Sequence, residues 1–223
     1  MPSTSHQAAH GAHHAHHAHH ADPAPRLVVQ QLRSAHAGPL SFTVDAGECV
    51  AVVGESGAGK SVLLRMVADL DPCDGELLLD GVARRGLTAP AWRAQVVYQS
   101  AEPAWWEATA AQHLRADQLE RAAALLPLLK LKSGILQAEL ALLSTGERQR
   151  LALIRSLAGA PRVLMLDEPA AALDATTTLA LEAVLQAAQA RGMAIILVTH
   201  SQEQAARMAQ RQLRMQHGQL VAP

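Results

Sequence analysis

Apolar residues in this chain come in short unbroken runs separated by polar turns. "CVAVVG" (49–54), "RVLMLD" (162–167) and "AIILVTH" (194–200) are apolar at nearly every position. That is the pattern of strands buried on both faces of a sheet. "LSFTVDAGE" (40–48) alternates and ends in a turn signal, which predicts a strand and a bend. "GELLLDG" (75–81) predicts a hairpin strand and "AQVVYQS" (94–100) a further strand. Helical spacing marks "KSVLLRMVADL" (60–70), stopped by "DPCDG" (71–75), then 147–158, "TTLALEAVLQAAQARG" (177–192) and "SQEQAARMAQ" (201–210). Residues 101–142 carry no strand signal. The periodicity of "TAAQHLRADQLERAAALLPLLKLK" predicts a mostly helical insert there, within a helical subdomain of about 101–158. The fold class expected is α/β: a mostly parallel sheet with right-handed crossovers, an antiparallel β portion near the N-terminus and the helical insert.

The 223 residues suffice for one large domain, or one with a subdomain. A hydrophobic content of 49% with a formal net charge of -1 is globular and gives no electrostatic footprint for nucleic acid. Residues 1–25 differ. "HGAHHAHHAHHADPAP" holds most of the chain's histidines and no large apolar group, so a disordered tail is expected, with the folded domain over 26–223. The tail reads either as an inert tag-like extension or as a metal binder, since neutral imidazoles ligate Zn²⁺, Ni²⁺ and Cu²⁺. Cys49 and Cys73 form no CxxC pair, which fits a reducing compartment. No apolar run approaches the ~20 residues of a membrane span, so a membrane role would need another chain.

The chemistry concentrates in three places. "GESGAGKS" matches G-x-x-x-x-G-K-[ST] between a predicted strand and a predicted helix, as a P-loop requires. Gly54, Glu55, Ser56, Gly57, Ala58 and Gly59 would curl backbone N–H groups around phosphate oxygens, with Val62 just beyond in the helix. Lys60 would neutralise phosphate charge and Ser61 would coordinate Mg²⁺. "RVLMLDEP" ends in two acids: Asp167 at the position of a metal-holding carboxylate, and Glu168 placed to orient or deprotonate an attacking water. His200 and Gln99 end two more strands, where ligands of such sheets sit. "LSTGERQR" (143–150) reads as a loop delivering a helix N-terminus, with Ser144 as N-cap and Glu147 as its capping-box partner. Such an end attracts anions.

In their order, "GESGAGKS", Gln99, "LSTGERQR", "VLMLDEP", "AALD" (171–174) and His200 resemble an ATP-binding-cassette (ABC) ATPase over residues 26 to about 220. The resemblance implies a P-loop NTPase core, MgATP as ligand, and two subunits sandwiching two ATPs head to tail, as a homodimer. Ser144 and Gly146 would then contact the γ-phosphate held by the other chain's Lys60. Asp174 would couple the two sites, His200 would contact the γ-phosphate, and Gln99 would join Ser61 and Asp167 at the metal. It also implies a separate transmembrane permease and a peripheral position on the cytoplasmic face of the inner or plasma membrane. "RAQVVYQSAEPAWWEATAAQHL" (93–114) and "GERQRLALIRSL" (146–157) look similar to iron-export ATP-binding subunits. The chain ends soon after His200, so no C-terminal regulatory domain is expected.

Two positions depart from the family pattern: Thr145 stands where glycine is usual, and Glu147 where glutamine is frequent. No aromatic residue upstream of the P-loop is free to stack on adenine, since Phe42 reads as a core residue. The base meets His36 or nothing. Trp105 and Trp106 read either as packing of the insert or as an anchor for a membrane partner's helix. Two rival functions are a soluble ABC ATPase of iron–sulfur cluster assembly and a metal-binding protein acting through its tail.

Overall fold

The computed structural model describes residues 24–221. The histidine-rich tail, and any role for it, lies outside them. The strands are β1 (Leu27–Arg33), β2 (Leu40–Val44), β3 (Cys49–Val53), β4 (Asp74–Leu79), β5 (Val82–Ala83), β6 (Val96–Gln99), β7 (Val163–Asp167), β8 (Ala194–Val198), β9 (Arg211–Gln216) and β10 (Gln219–Val221). The α-helices are α1 (Lys60–Val67), α2 (Ala89–Gln95), α3 (Ala116–Leu125), α4 (Thr145–Ala158), α5 (Ala175–Ala190) and α6 (Gln202–Met208). An antiparallel sheet runs β2-β1-β4-β5, and a six-stranded sheet runs β10-β9-β3-β8-β7-β6. The second is parallel throughout except for the β9–β10 hairpin. The expected α/β class, with its antiparallel portion, is what forms.

Every residue of β7 and β8 is buried. Successive side chains feed two cores. Val50, Val52, Met165, Ile196 and Val198 face the antiparallel sheet and α1. Cys49, Leu164, Leu166, Ile195 and Leu197 face α4, α5 and the insert. A period of two, buried on both sides, explains why these segments read as continuous apolar runs.

Two expectations need correction. The insert is far less helical than its periodicity suggested: between 101 and 142 the only α-helix is α3, accompanied by single 3-10 turns at 111–113, 135–137 and 140–142. Pro127, two residues past the end of α3, cannot continue the helix. Leu129, Leu131, Ile135, Leu136 and Leu140 are buried all the same, so the apolar spacing there records packing of a compact loop. The first helix stops at Val67, three residues short of Leu70, where Asp69 takes a positive φ of 59°. The strands β1, β9 and β10 and the helix α2 carried no expectation at all.

The unforeseen α2 is anchored at both ends. Thr88 caps it, its hydroxyl accepting from Ala91 N (3.3 Å), with Pro90 in the first turn. Trp92 is fully buried, and its indole N–H donates to the carbonyl of Val67 at the end of α1 (2.9 Å). One side chain thus fills the core and closes the P-loop helix. Trp92→Ala should cost about 3–5 kcal/mol. Trp92→Phe keeps most of the volume but orphans the Val67 carbonyl, and should cost about 1–3 kcal/mol. Urea unfolding followed by circular dichroism measures both. A phenylalanine variant as stable as the wild type would show that the bond contributes nothing.

Candidate ATP site

The P-loop connects β3 to α1. At its first residue the carbonyl of Met215 on β9 comes so close that a Cβ on Gly54 would lie 2.2 Å from it, and φ is 156°. Only glycine fits. Gly59 then serves as the N-cap of α1 without a capping side chain, so the first-turn N–H groups face outward, ready for an anion. Lys60 is 7% exposed, its ammonium donating to the carbonyls of Gly54 and Glu55 (2.8 Å each).

Asp167 ends β7 and is buried. One of its oxygens, Oδ2, accepts from Ser61 Oγ (2.6 Å) and from the hydroxyl of Tyr98 (3.3 Å). Burial, followed by the charge of Asp167, pushes the Tyr98 phenol up to about 12, so it remains a donor. Glu168 follows with a positive φ of 49°. Its Oε1 is buried with no hydrogen-bond partner, and His200 Nε2 lies 3.5 Å away. Burial first, and then Asp167, raises the Glu168 carboxyl above the usual carboxylate range. A cavity of about 360 Å³ joins Ser56, Gly57, Lys60, Ser61, Asp167, Glu168 and His200, with Gly59, Val62 and Ala101 also on its wall. Serine hydroxyl and aspartate carboxylate at 2.6 Å form a hard oxygen pair that suits Mg²⁺, an ion that keeps waters and phosphate oxygens as its other ligands.

Gln99 is not brought to this cavity. It pairs in register with Leu166, not with Asp167. Alternation along β6 therefore turns its side chain to the opposite face of the sheet, where its Oε1 accepts from Ser156 on α4 (3.3 Å). Tyr98, one residue earlier, takes the face that reaches Asp167. Ser144, Gly146 and Asp174 also lie outside the cavity. Ser144 caps α4 as expected: its Oγ accepts from Glu147 N (3.3 Å) and donates to Glu147 Oε2 (2.8 Å), while its own N–H donates to the same carboxylate (2.9 Å). These bonds hold the Glu147 carboxyl below the usual range. Gly146 packs against the 171–174 segment, where a Cβ would stand 3.3 Å from Ala172 O. Asp174 caps α5 by accepting from Thr177 N (2.9 Å) and Oγ1 (2.7 Å).

Two residues escaped sequence reasoning. Tyr98 was visible only through strand alternation. Gln149 donates from α4 to the carbonyl of Glu168 (3.1 Å), and nothing in the spacing of "LSTGERQR" signalled it. Phe42 is a core residue as expected. His36 is exposed in the β1–β2 loop, whose Gly38 N–H donates to Gly218 O (2.8 Å), while Gly218 N–H donates to Ala58 O of the P-loop (3.0 Å). His36 thus flanks the cradle.

The tryptophan pair lies in the insert. Trp105 is half-buried, with an indole N–H that is buried and unpartnered, beside a cavity of about 350 Å³ lined by Glu107, Glu139, Leu140 and Arg148. Trp106 is 71% exposed. Arg155 of α4 stacks on both rings, 4.3 and 5.4 Å from their centroids.

Comparison with known proteins agrees with this geometry. The family model described as ABC transporter matches residues 37–171. The chain is 37% identical over 199 residues to an aliphatic sulfonates import ATP-binding protein (SsuB 2) of Agrobacterium fabrum, covering 82% of this chain and 71% of that protein. It is 36% identical over 202 residues to a macrolide export ATP-binding/permease protein (MacB) of Rhodospirillum rubrum, covering 82% of this chain and 30% of that one. A solved ATP-binding subunit of an ABC transporter superposes with a TM-score of 0.80 at 26% identity, covering 88% of both chains. A dimeric ATP-binding cassette in a post-hydrolysis state with ADP and Pi shares the fold, with a TM-score of 0.76 at 21% identity, covering 88% of this chain and 97% of that one. With a P-loop, paired acids at the end of β7 and a capped α4 in place, the chain belongs to the ABC transporter family and is an ATP-binding cassette, an ATPase.

Proposed function

We propose that this chain is the ATPase subunit of a transporter whose membrane-spanning permease is a separate chain, and that two copies close head to tail around two ATPs. The observation that carries the pairing is the position of α4: its capped, anion-attracting N-terminus lies outside the cavity shared by the P-loop, Asp167, Glu168 and His200. One complete phosphate cradle and a second such end elsewhere fit together across a dimer. Ser144 and Gly146 of one copy then meet the phosphate held by Lys60 of the other, and Asp174, rigid as the α5 cap, borders that interface.

Ser61 and Asp167 would hold Mg²⁺, which would supply charge neutralisation for the phosphates. Tyr98 keeps Asp167 oriented. Glu168, with a raised proton affinity and a free oxygen, takes the proton of the attacking water, and His200 supports Glu168 at 3.5 Å. Gln99, bonded to α4, acts from the insert side and not as a ligand in this arrangement.

In this reading the cassette spans about 26–223, with the helical subdomain of about 101–158 as the arm toward the permease. Among the described residues no helix is long and apolar enough to cross a membrane, which fits a peripheral subunit on the cytoplasmic face. The exposed Trp106, and the unpartnered Trp105 N–H beside a cavity, suit the docking of a permease segment that brings a carbonyl acceptor. The named relatives handle aliphatic sulfonates and macrolides, so they lend no support to iron as the cargo.

Glu168→Gln should leave ATP binding intact and slow hydrolysis by ~10²-fold or more. Turnover at the wild-type rate would remove this role for Glu168. Trp106→Asp should weaken association with the co-expressed permease by about 30-fold, the scale of a lost interface anchor. ATP binding by the isolated chain should not change. Unaltered association, measured by co-purification and titration, would move the docking surface elsewhere.

The pairing is tested by mixing two inactive proteins. Lys60→Ala cripples the cradle and Ser144→Arg blocks the α4 end, so each homodimer has two damaged sites. A mixed dimer regains one site, where intact Lys60 meets intact Ser144. With free exchange, MgATPase activity should reach about a quarter of wild type, since half of the dimers are mixed and half of their sites work. Mixed dimers that bind no ATP across the interface would refute the trans role.

A further inference from the structure

The insert holds a side chain whose bonding is fully specified. His113 ends the 3-10 turn Ala111–His113 and reaches back over the 104–109 loop. Its Nδ1 lies 3.0 Å from the carbonyl oxygen of Thr109. Its Nε2 lies 3.2 Å from the backbone nitrogen of Trp106 and 3.3 Å from that of Glu107. A carbonyl only accepts and a backbone N–H only donates. The partners therefore assign the proton to Nδ1 and leave Nε2 bare. The imidazole also meets both indoles edge-on, with centroids 5.0 Å away at 85° for Trp105 and 4.5 Å away at 68° for Trp106.

We propose that His113, as the neutral Nδ1–H tautomer, is the positioning residue of the Trp105–Trp106 loop, and that a second ring proton releases this loop. The use of the loop as a docking platform rests on the reading above; the lock itself does not. Protonation turns Nε2 from an acceptor into a donor aimed at two donors. The N–H groups of Trp106 and Glu107 lose their acceptor together. The charges around the ring pull both ways. Arg155 on α4, stacked on both indoles, opposes a second cation, and Arg148, on the wall of the neighbouring cavity, adds to it. Glu107 on the loop and Glu139, bridged to Thr109, favour one. Arg115, two residues on, is paired with Asp117. Arg155, Arg148 and Arg115 can only donate, and the bonds that Nε2 accepts are exposed, so on protonation the two N–H groups exchange a fixed ring for water. The loop is ordered while Nε2 is bare and loosens when it gains a proton. A subunit built this way presents its tryptophan platform with the ring neutral and withdraws it once the ring is charged.

Two measurements on the full chain test the lock. Long-range ¹H–¹⁵N correlation at about pH 8, where imidazoles are neutral, reads the tautomer, with His113→Phe assigning the resonances by difference. Protonated Nδ1 and bare Nε2 are expected; the opposite tautomer would overturn the proposal. Hydrogen exchange, corrected for intrinsic rates, reads the loop. Protection of the Trp106 and Glu107 amides should fall at least tenfold between about pH 8 and about pH 5.5, while the α4 amides stay protected. In His113→Phe, which cannot titrate, those two amides should be poorly protected at both pH values. Protection that ignores pH in the wild type would sink the idea. Failure of the docking reading would show separately, as unchanged permease association of Trp106→Asp with the lock intact.

Discussion

Burial of the six-stranded sheet on both faces is the constraint from which the rest follows. With β7 and β8 closed to solvent along their whole length, the sheet can present polar groups only where its strands end. Parallel strands put their carboxyl ends on one edge, and the P-loop, Asp167, Glu168 and His200 all leave from it. The chemistry is gathered by topology before any side chain is chosen. Side-chain identity then sorts the faces of that edge. Tyr98 and Asp167 share one face and bond; Gln99 takes the other and meets Ser156.

The closeness of the elements at this edge is paid for in residue size. Gly54 admits the Met215 carbonyl, and Gly146 lets the start of α4 lie against Ala172 and Leu173. A methyl group at the first position would overlap the Met215 carbonyl of β9. At the second it would press on Ala172 and Leu173, which would have to give by a few tenths of an ångström. Gly54 is a packing requirement, and Gly146 a position where a larger residue would be tight.

What was legible in the sequence was what solvent exclusion writes strongly. The strands β3, β7 and β8 are unbroken apolar runs because both of their faces are covered. The Ser144–Glu147 capping box was readable because it is local. Elements at the rim were not legible. In β9 only Met215 is buried, so "RQLRMQ" has no apolar run to find. β1 carries Leu27, Val29 and Leu32 at its core positions, but a register shift between Val29 and Leu32 breaks the alternation. The insert misled in the opposite direction, because its leucines are buried by a compact loop and mimic helical spacing. Thr88 and Pro90 did signal α2, yet seven residues are too few for periodicity to register. Of the site, the residues named by local motifs were legible, whereas Tyr98, Gln149 and the true facing of Gln99 depend on which strands are neighbours.

The arrangement gives α4 a particular standing. Its fourteen residues span about 21 Å. Ser144 at one end is the anion-attracting cap. Gln149, one and a half turns along, holds the backbone of Glu168. Arg155 stacks on Trp105 and Trp106 and donates to the carbonyl of Ala104 (3.0 Å), and Ser156 holds Gln99. Desolvation lowers the proton affinity of the Arg155 guanidinium, yet it stays charged, so this contact is a cation held in a partly dry setting between a helix and two indoles. A hydrogen-bonded helix does not stretch. On the reading proposed above, movement of the cap toward a phosphate on a second copy would shift Gln149 and Arg155 with it, and would disturb Glu168 and the tryptophan loop together. The nucleotide edge and the exposed tryptophans need no chain of intermediate contacts to be coupled, because one rigid rod touches both.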